Sequence, residues 1–127
     1  MIVIDTSALM AVVLDEPDAE RCSAELENTS EIAISAVTVA EALIVAAMRK
    51  VGPEMQRLID ELGFEVAPVT PAVARRVAHA YERWGKGIHP AGLNFGDCFA
   101  YALAQERACP LLYVGDAFSR TDVVSVL

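Results

Sequence analysis

Four acidic residues from well-separated segments of the chain are candidates for one shared site: Asp5, Glu41, Asp97 and Asp116. Where three or four carboxylates meet within about 4–6 Å, each pair repels by a few kcal/mol at an effective dielectric near 20. Such a cluster either takes up protons or holds hard cations, and Mg2+ or Mn2+ suit a site made only of oxygen ligands. Bound ions of this kind activate water and stabilise a pentavalent phosphate. The four acids therefore indicate a metal site that activates water for attack on a phosphate.

Glu41 is the most informative of these acids, because it is the only charge in the apolar run from Val37 to Met48. The run is apolar on nearly every face, which predicts a buried helix. The neighbours of Glu41 one turn away, Val37 and Val45, offer its carboxylate no partner. A buried lone carboxylate is costly unless it is paired or binds a metal. The alternative is that Glu41 faces solvent or a partner subunit.

The other three acids each have a structural alternative. Asp5 follows an apolar run and could cap the next helix, although Thr6 or Ser7 could fill that role. Asp97 could be the N-cap of its own helix, and Asp116 could be a turn residue after a strand. Only the combination of the four acids favours a site.

Strands alternate with helices along the chain. We predict strands over 1–4, 31–34, 64–69 and 111–114, with 123–126 as a candidate fifth. Helices are predicted over 8–14, 19–27, 37–50, 54–62 and 72–84, and from 97 to 107, with an irregular stretch at 85–92. This order predicts a single α/β domain spanning residues 1–127, with a central parallel sheet of four to five strands and helices on both faces. Ligands bind such sheets beyond the carboxyl ends of the strands, where Asp5 and Asp116 fall.

Composition limits the classes of function. A net charge of −8 argues against non-specific binding along a nucleic-acid backbone, although divalent ions can supply positive charge at one site. An apolar fraction of 54% predicts a large core or a homodimer interface. The three cysteines lack a C-x-x-C spacing, which favours free thiols in a reducing compartment. With no signal peptide and no apolar stretch of roughly 18 residues, we expect a cytoplasmic protein.

Four ordered segments carry a family resemblance that covers essentially the whole chain: Ile4–Leu9, Val39–Glu41, Gly92–Ala102 and Gly115–Asp122. They resemble the motifs of the PIN-domain VapC toxins. The resemblance implies the toxin of a type II toxin–antitoxin system, an endoribonuclease that needs Mg2+ or Mn2+. It also implies a homodimer, inhibition by a VapB-type antitoxin in a higher-order complex, and an RNA substrate such as tRNA or rRNA.

The resemblance also assigns roles to individual residues. By their motifs, Asp5 and Asp97 look like the principal metal ligands, and Glu41 resembles the third acid. Ser7 resembles the small polar residue that hydrogen-bonds within the site, and Thr6 is a second supporting residue.

The chain departs from the family pattern in Gly115-Asp116-Ala117-Phe118. The acid that normally precedes the Phe is Ala117 here. Asp116 is the candidate replacement, but adjacent side chains point in different directions. A weakened second metal position is therefore expected.

Other readings of the sequence remain open. Lys86 and His89 lie in the irregular stretch and are candidate RNA contacts, against the alternative of ordinary surface charge. A receiver-like phosphoacceptor domain would need adjacent acids after the first strand and a closing Lys, and neither is present. A relative that has lost catalysis through Ala117 and acts only by binding an antitoxin is the other alternative.

Overall fold

Four short strands and six α-helices make up most of the computed structural model, which describes residues 1–127. The strands are β1 (Ile2–Ile4), β2 (Ile32–Ser35), β3 (Glu65–Ala67) and β4 (Leu111–Leu112). The helices are α1 (Thr6–Val13), α2 (Ala19–Asn28), α3 (Ala36–Met48), α4 (Gly52–Leu62), α5 (Pro71–Trp84) and α6 (Phe95–Arg107), followed by a 3-10 turn at Phe118–Arg120. No helix is both long and apolar enough to cross a lipid bilayer.

The strands form one parallel sheet in the order β3-β2-β1-β4. The first strand therefore lies inside the sheet, where Val3 pairs with Ala33 on one side and with Leu111 on the other. The carboxyl ends of all four strands meet at one edge because the sheet is parallel. Residues that follow β1 and β4 are thereby brought together.

The candidate fifth strand does not form a full strand, and it contacts the sheet only through one isolated β-bridge beside β4. Ser125 forms a single parallel bridge with Leu111. Two backbone hydrogen bonds hold it there, from Leu111 N to Val124 O at 2.8 Å and from Val126 N to Leu111 O at 3.1 Å. A four-stranded sheet is thus the correct description, within the range that the sequence predicts.

Helices cover both faces of the sheet, and alternation along β1 explains how. Val3 points into a core formed with α5 and α6, whereas Ile2 and Ile4 point into a second core formed with α1 to α4. The helix–sheet–helix layers confirm the predicted α/β architecture. Helix α3 packs against both α1 and α6, and α6 also packs against β1, which gathers the three helices beside the first strand.

The prediction that α3 is buried on nearly every face is wrong. Ala42 and Ala46 are fully buried, but Ile44 is 60% exposed and Met48 is 76% exposed. One side of the helix packs on α1 and α4, and the opposite side is an apolar surface. Hydropathy alone does not distinguish a helix buried in its own chain from one with an apolar outer face.

Candidate active site

Asp5 lies at the carboxyl end of β1 and is only 3% exposed. It is also the N-cap of α1, since its Oδ2 accepts hydrogen bonds from the backbone N–H of Ser7 at 3.0 Å and from Ser7 Oγ at 2.7 Å. The other oxygen, Oδ1, is buried without a hydrogen-bond partner. Capping therefore accounts for the hydrogen bonds of Oδ2 only. Oδ1 stays buried and unsatisfied, which native proteins rarely tolerate without a ligand.

Ser7 connects Asp5 to the neighbouring strand. Its hydroxyl donates to Asp5 and accepts from the backbone N–H of Val114 at 3.0 Å. The chain leaving β4 is thus fixed to the residue that orients the Asp5 carboxylate. This geometry agrees with the supporting role that the resemblance implies for Ser7.

Glu41 lies in α3 and is half-buried. Thr6 Oγ1 donates a 2.6 Å hydrogen bond to its Oε1, so the partner missing from its own helix is supplied by α1. On its other side the carboxylate touches Gly96 in the first turn of α6. A Cβ at position 96 would overlap the carboxylate oxygen and lie 2.9 Å from Glu41 Cδ. The absence of a side chain at position 96 leaves the space that the Glu41 carboxylate occupies, and a larger residue there would displace the carboxylate.

Asp97 is held by a reciprocal pair of hydrogen bonds with Asn94. Its backbone N–H donates to Asn94 Oδ1 at 2.8 Å, and its Oδ2 accepts from the Asn94 backbone N–H at 3.0 Å. Asn94 is therefore the N-cap and Asp97 the third helical residue of a capping box, so the alternative that Asp97 is itself the N-cap is wrong.

The charges of Glu41 and Asp97 act on Asp5, and the charge of Glu41 acts on Asp97. The pKa of the Asp5 carboxyl is raised from its ordinary 3.8 to about 6, chiefly because it is buried. The Ser7 hydrogen bonds oppose this rise, and the charges of Asp97 and Glu41 add to it. Burial likewise raises the pKa of Asp97, the Asn94 backbone bond opposes this, and the Glu41 charge adds to it. No Lys, Arg or His forms an ion pair with any of the three acids. They form a negative pocket without an internal cation.

The donor atoms suit a hard divalent cation, but their arrangement is open. No three His, Cys, Asp or Glu side chains converge closely enough to enclose an ion. Glu41 is turned to Thr6 and Asp97 to Asn94, while Asp5 Oδ1 remains without a partner. Ion binding would require the Glu41 and Asp97 carboxylates to rotate from these donors toward Asp5.

Asp116 lies on the loop after β4 and is exposed. Its side chain makes no hydrogen bond, and its charge is not among those that raise the pKa of Asp5 or Asp97. Gly115, with φ of +103°, turns the chain at the same edge of the sheet. The structure therefore brings three of the four acids together and leaves Asp116 apart from them.

The two candidate RNA contacts differ in their surroundings. The Lys86 side chain is exposed, forms no ion pair and lines a cavity between α5 and α6. His89 packs edge-on against Trp84, with ring centroids 4.7 Å apart, and its Nδ1 accepts from the Ala91 backbone N–H at 3.0 Å. These contacts explain His89 as a residue that orders its loop, and its contact with RNA stays a prediction.

Sequence reasoning missed Gly96 and Asn94 as residues of the site. A glycine in the first turn of a helix is a signal, because it costs about 1 kcal/mol relative to alanine and so marks a close approach. Asn94, three residues before Asp97, matches the spacing of a capping box.

Comparison with known proteins identifies the class to which this fold and site belong. The PIN domain family model matches residues 2–124. The structure superposes on a toxin of Mycobacterium tuberculosis, VapC20, with a TM-score of 0.81 and 14% identity over 99% of this chain and 98% of that one. It also superposes on a chain of a toxin–antitoxin complex from Klebsiella pneumoniae with a TM-score of 0.74 and 20% identity, covering 99% and 97% of the two chains.

A closer sequence relative is the ribonuclease VapC of Mycolicibacterium smegmatis, which is 41% identical over 127 residues and 98% of each chain. The chain therefore belongs to the PIN-domain family and, within it, to the VapC ribonucleases. This confirms the predicted family and enzyme class and removes the receiver-like alternative.

The raised pKa of Asp5 makes stability depend on pH. Between pH 4 and 6 the folded protein holds a proton on Asp5 that the unfolded chain has released, so the free energy of unfolding falls as pH rises, by roughly 3 kcal/mol in total. Asp5→Asn removes this titration. In EDTA, urea unfolding should show the variant gaining stability relative to wild type from pH 4 to 7. The exposed control Asp60→Asn should run parallel to wild type, and parallel curves for Asp5→Asn would contradict the assignment.

Proposed function

We propose that this chain is the toxin of a type II toxin–antitoxin system, and that it hydrolyses RNA phosphodiester bonds at a divalent-metal site formed by Asp5, Glu41 and Asp97. One observation carries the site assignment. Three carboxylates from three different elements lie near one another without an ion pair, and the most buried of them has an oxygen without a partner. Such a pocket is stable either protonated or with a cation bound.

The three acids would hold Mg2+ or Mn2+, with Asp5 and Asp97 as principal ligands. When bound, a divalent ion lowers the pKa of a water and neutralises charge on the phosphate. Ser7 holds one oxygen of Asp5 and leaves the other free, whereas Asp97 would exchange its hydrogen bond with Asn94 for the ion. Attack of water on phosphorus with loss of the 3′ oxygen leaves a 5′-phosphate and a 3′-hydroxyl.

We also propose a cytoplasmic location. The three cysteines are all unpaired, which agrees with a reducing compartment.

Cleavage of a labelled structured RNA in Mn2+ tests the site. Asp5→Asn and Asp97→Asn should each lower the cleavage rate by at least about 100-fold, because each removes a charge that the ion needs. Asp60→Asn, on the exposed face of α4, should cleave like wild type. EDTA should abolish cleavage. Products ending in 2′,3′-cyclic phosphate would contradict the attack of water on phosphorus. If no divalent metal supports cleavage, the alternative is favoured in which this chain has lost catalysis and acts only by binding an antitoxin.

The same assay measures the contribution of Asp116, our fourth catalytic candidate. Its exposed position away from the other acids predicts that Asp116→Asn lowers the rate far less than Asp97→Asn. Ala117→Asp restores the acid that the family pattern has before Phe118. An increase in rate for this variant would indicate that a second ion position is weak in the natural chain.

We propose that a VapB-type antitoxin inhibits the enzyme by placing a basic side chain, an arginine, among the three carboxylates. The pocket has no cation of its own, and a guanidinium forms strong paired hydrogen bonds with carboxylates. The Klebsiella pneumoniae relative is a component of a toxin–antitoxin complex, which supports a partner of this kind.

Isothermal titration of the cognate antitoxin at rising Mg2+ tests this mechanism. Because ion and arginine occupy the same carboxylates, the apparent Kd should rise with Mg2+, and Asp97→Asn should weaken antitoxin binding. Asp60→Asn should bind like wild type. An antitoxin affinity independent of Mg2+ would exclude competition at the acids.

We propose that the apolar outer face of α3 forms a homodimer interface, on which the higher-order complex with antitoxin is built. Ala40, Ile44, Ala47 and Met48 are exposed on this face. An apolar surface of this kind on one helix marks an association site.

Sedimentation measures the oligomeric state directly. Wild type should sediment at twice the 13.6 kDa chain mass, and Ile44→Asp with Met48→Asp should give monomers, because two charges cannot be buried unpaired. Val124→Asp, at a position 65% exposed away from α3, is the control and should stay dimeric. A wild-type species of 13.6 kDa alone would refute the dimer.

A further inference from the structure

A cavity of about 620 Å3 opens between α5 and α6 directly beside the acidic site. Its lining is mainly apolar and includes two aromatic rings on opposite helices, Tyr81 from α5 and Phe95 from α6. Phe95 is 69% exposed, although it lies in the same helical turn as Asp97. A largely exposed phenylalanine beside an active site has no role in the core of this chain.

Both rings are held in place without a ligand. Phe95 packs edge-on against Phe99, with centroids 4.9 Å apart and the ring planes at 74°. Tyr81 donates a hydrogen bond to the Lys86 backbone carbonyl at 3.3 Å. Fixed aromatic walls around a cavity of this size suit a flat ring of the ligand, because little side-chain freedom is lost on binding.

The polar groups of the cavity are donors. The Lys86 ammonium, the only charge in the lining, has no carboxylate partner. Asn94 uses its Oδ1 to accept from Asp97, so its Nδ2 hydrogens remain free. Donors of this kind match the keto oxygens of uracil and guanine and oppose the amino groups of cytosine and adenine.

The negative charge of the whole chain favours contacts to RNA bases over contacts to its phosphates. At a net charge of −8, contacts to the phosphate backbone supply little affinity. Proteins bind unpaired bases by stacking them on aromatic side chains, at about 1–3 kcal/mol per base. Asn94 also joins the cavity to the site, since it lines the cavity and orients Asp97.

We propose that this cavity is a nucleobase subsite, in which an unpaired keto base of the RNA stacks between Phe95 and Tyr81 and accepts hydrogen bonds from Lys86 and Asn94. The base would place its neighbouring phosphate at the three carboxylates. The inference deepens the proposed ribonuclease function and rests on it for the identity of the substrate.

Binding of fluorescein-labelled octamers in EDTA, followed by fluorescence anisotropy, tests the subsite without cleavage. Phe95→Leu keeps the apolar contact and loses the stacking face, so octa-uridylate should bind about tenfold more weakly. Phe95→Trp keeps the stacking face and should bind within about threefold of wild type. Val124→Ala changes an exposed apolar residue outside the cavity and should have no effect.

The base preference is tested with octa-uridylate and octa-cytidylate, whose bases differ in the keto or amino group at C4 and in whether N3 carries a hydrogen. Wild type should prefer the uridylate by about tenfold, and Lys86→Gln should reduce that preference as well as the affinity. Lys50→Gln, which removes the same charge at another exposed position, should keep the preference. Equal affinities of wild type for the two octamers would overturn the hydrogen-bonding part of the proposal.

Two further results separate this inference from its alternatives. Phe95→Leu could bind octa-uridylate like wild type and yet fail to dimerise in sedimentation or to bind antitoxin in titration. That result would show that the cavity is a protein interface and would refute the subsite. Binding does not depend on metal or cleavage, so the predicted binding pattern without any cleavage would retain the subsite and refute the nuclease mechanism. Cleavage by Phe95→Leu with unchanged octamer affinity would refute the subsite alone.

Discussion

The structure depends on one unfavourable placement, the carboxylate of Asp5 inside the protein at the end of a strand buried on both faces. Burial opposes its charge, and the charges of Glu41 and Asp97 on neighbouring helices act on it as well. The surroundings compensate only in part: Ser7 satisfies one oxygen and the other has no partner. The chain supplies no cation that pairs with these acids. Under the proposed function, a metal ion or the basic side chain of a partner protein would supply that charge, so catalysis and inhibition would depend on the same three acids.

Each acid is held by its own local hydrogen bonds. Together these bonds explain how a small domain keeps three like charges near one another. Helix capping holds Asp5 and Asp97, because both lie at the start of a helix. Free backbone N–H groups there donate hydrogen bonds to their carboxylates. Glu41 has no such help inside α3 and takes its hydrogen bond from Thr6. Gly96 allows the approach by having no side chain. The repulsion is thus offset separately at each residue rather than by a shared cation of the protein.

The sequence predicts the parallel α/β fold well, because strand and helix periodicities are local and the order of elements leaves few topologies. The places of Asp5 and Asp97 in the fold are also predictable. Asp5 directly follows a strand, and Asp97 lies in a helix start that the sequence makes recognisable. The contacts of Glu41 with Thr6 and Gly96 are not, because they join residues far apart in the chain. The burial of α3 is mispredicted for a related reason: Ile44 and Met48 are as apolar as core residues, and only the packed structure shows that they face outward.

The position of β1 inside the sheet has a consequence for biosynthesis. The first strand is made first, yet the backbone N–H of Asp5 pairs with Leu112, and Ser7 is fixed by Val114, both near the end of the chain. Long-range pairing of this kind is completed late in folding. On a nascent chain, the contacts that fix Asp5 and Ser7 therefore cannot form until almost all of the chain has emerged from the ribosome.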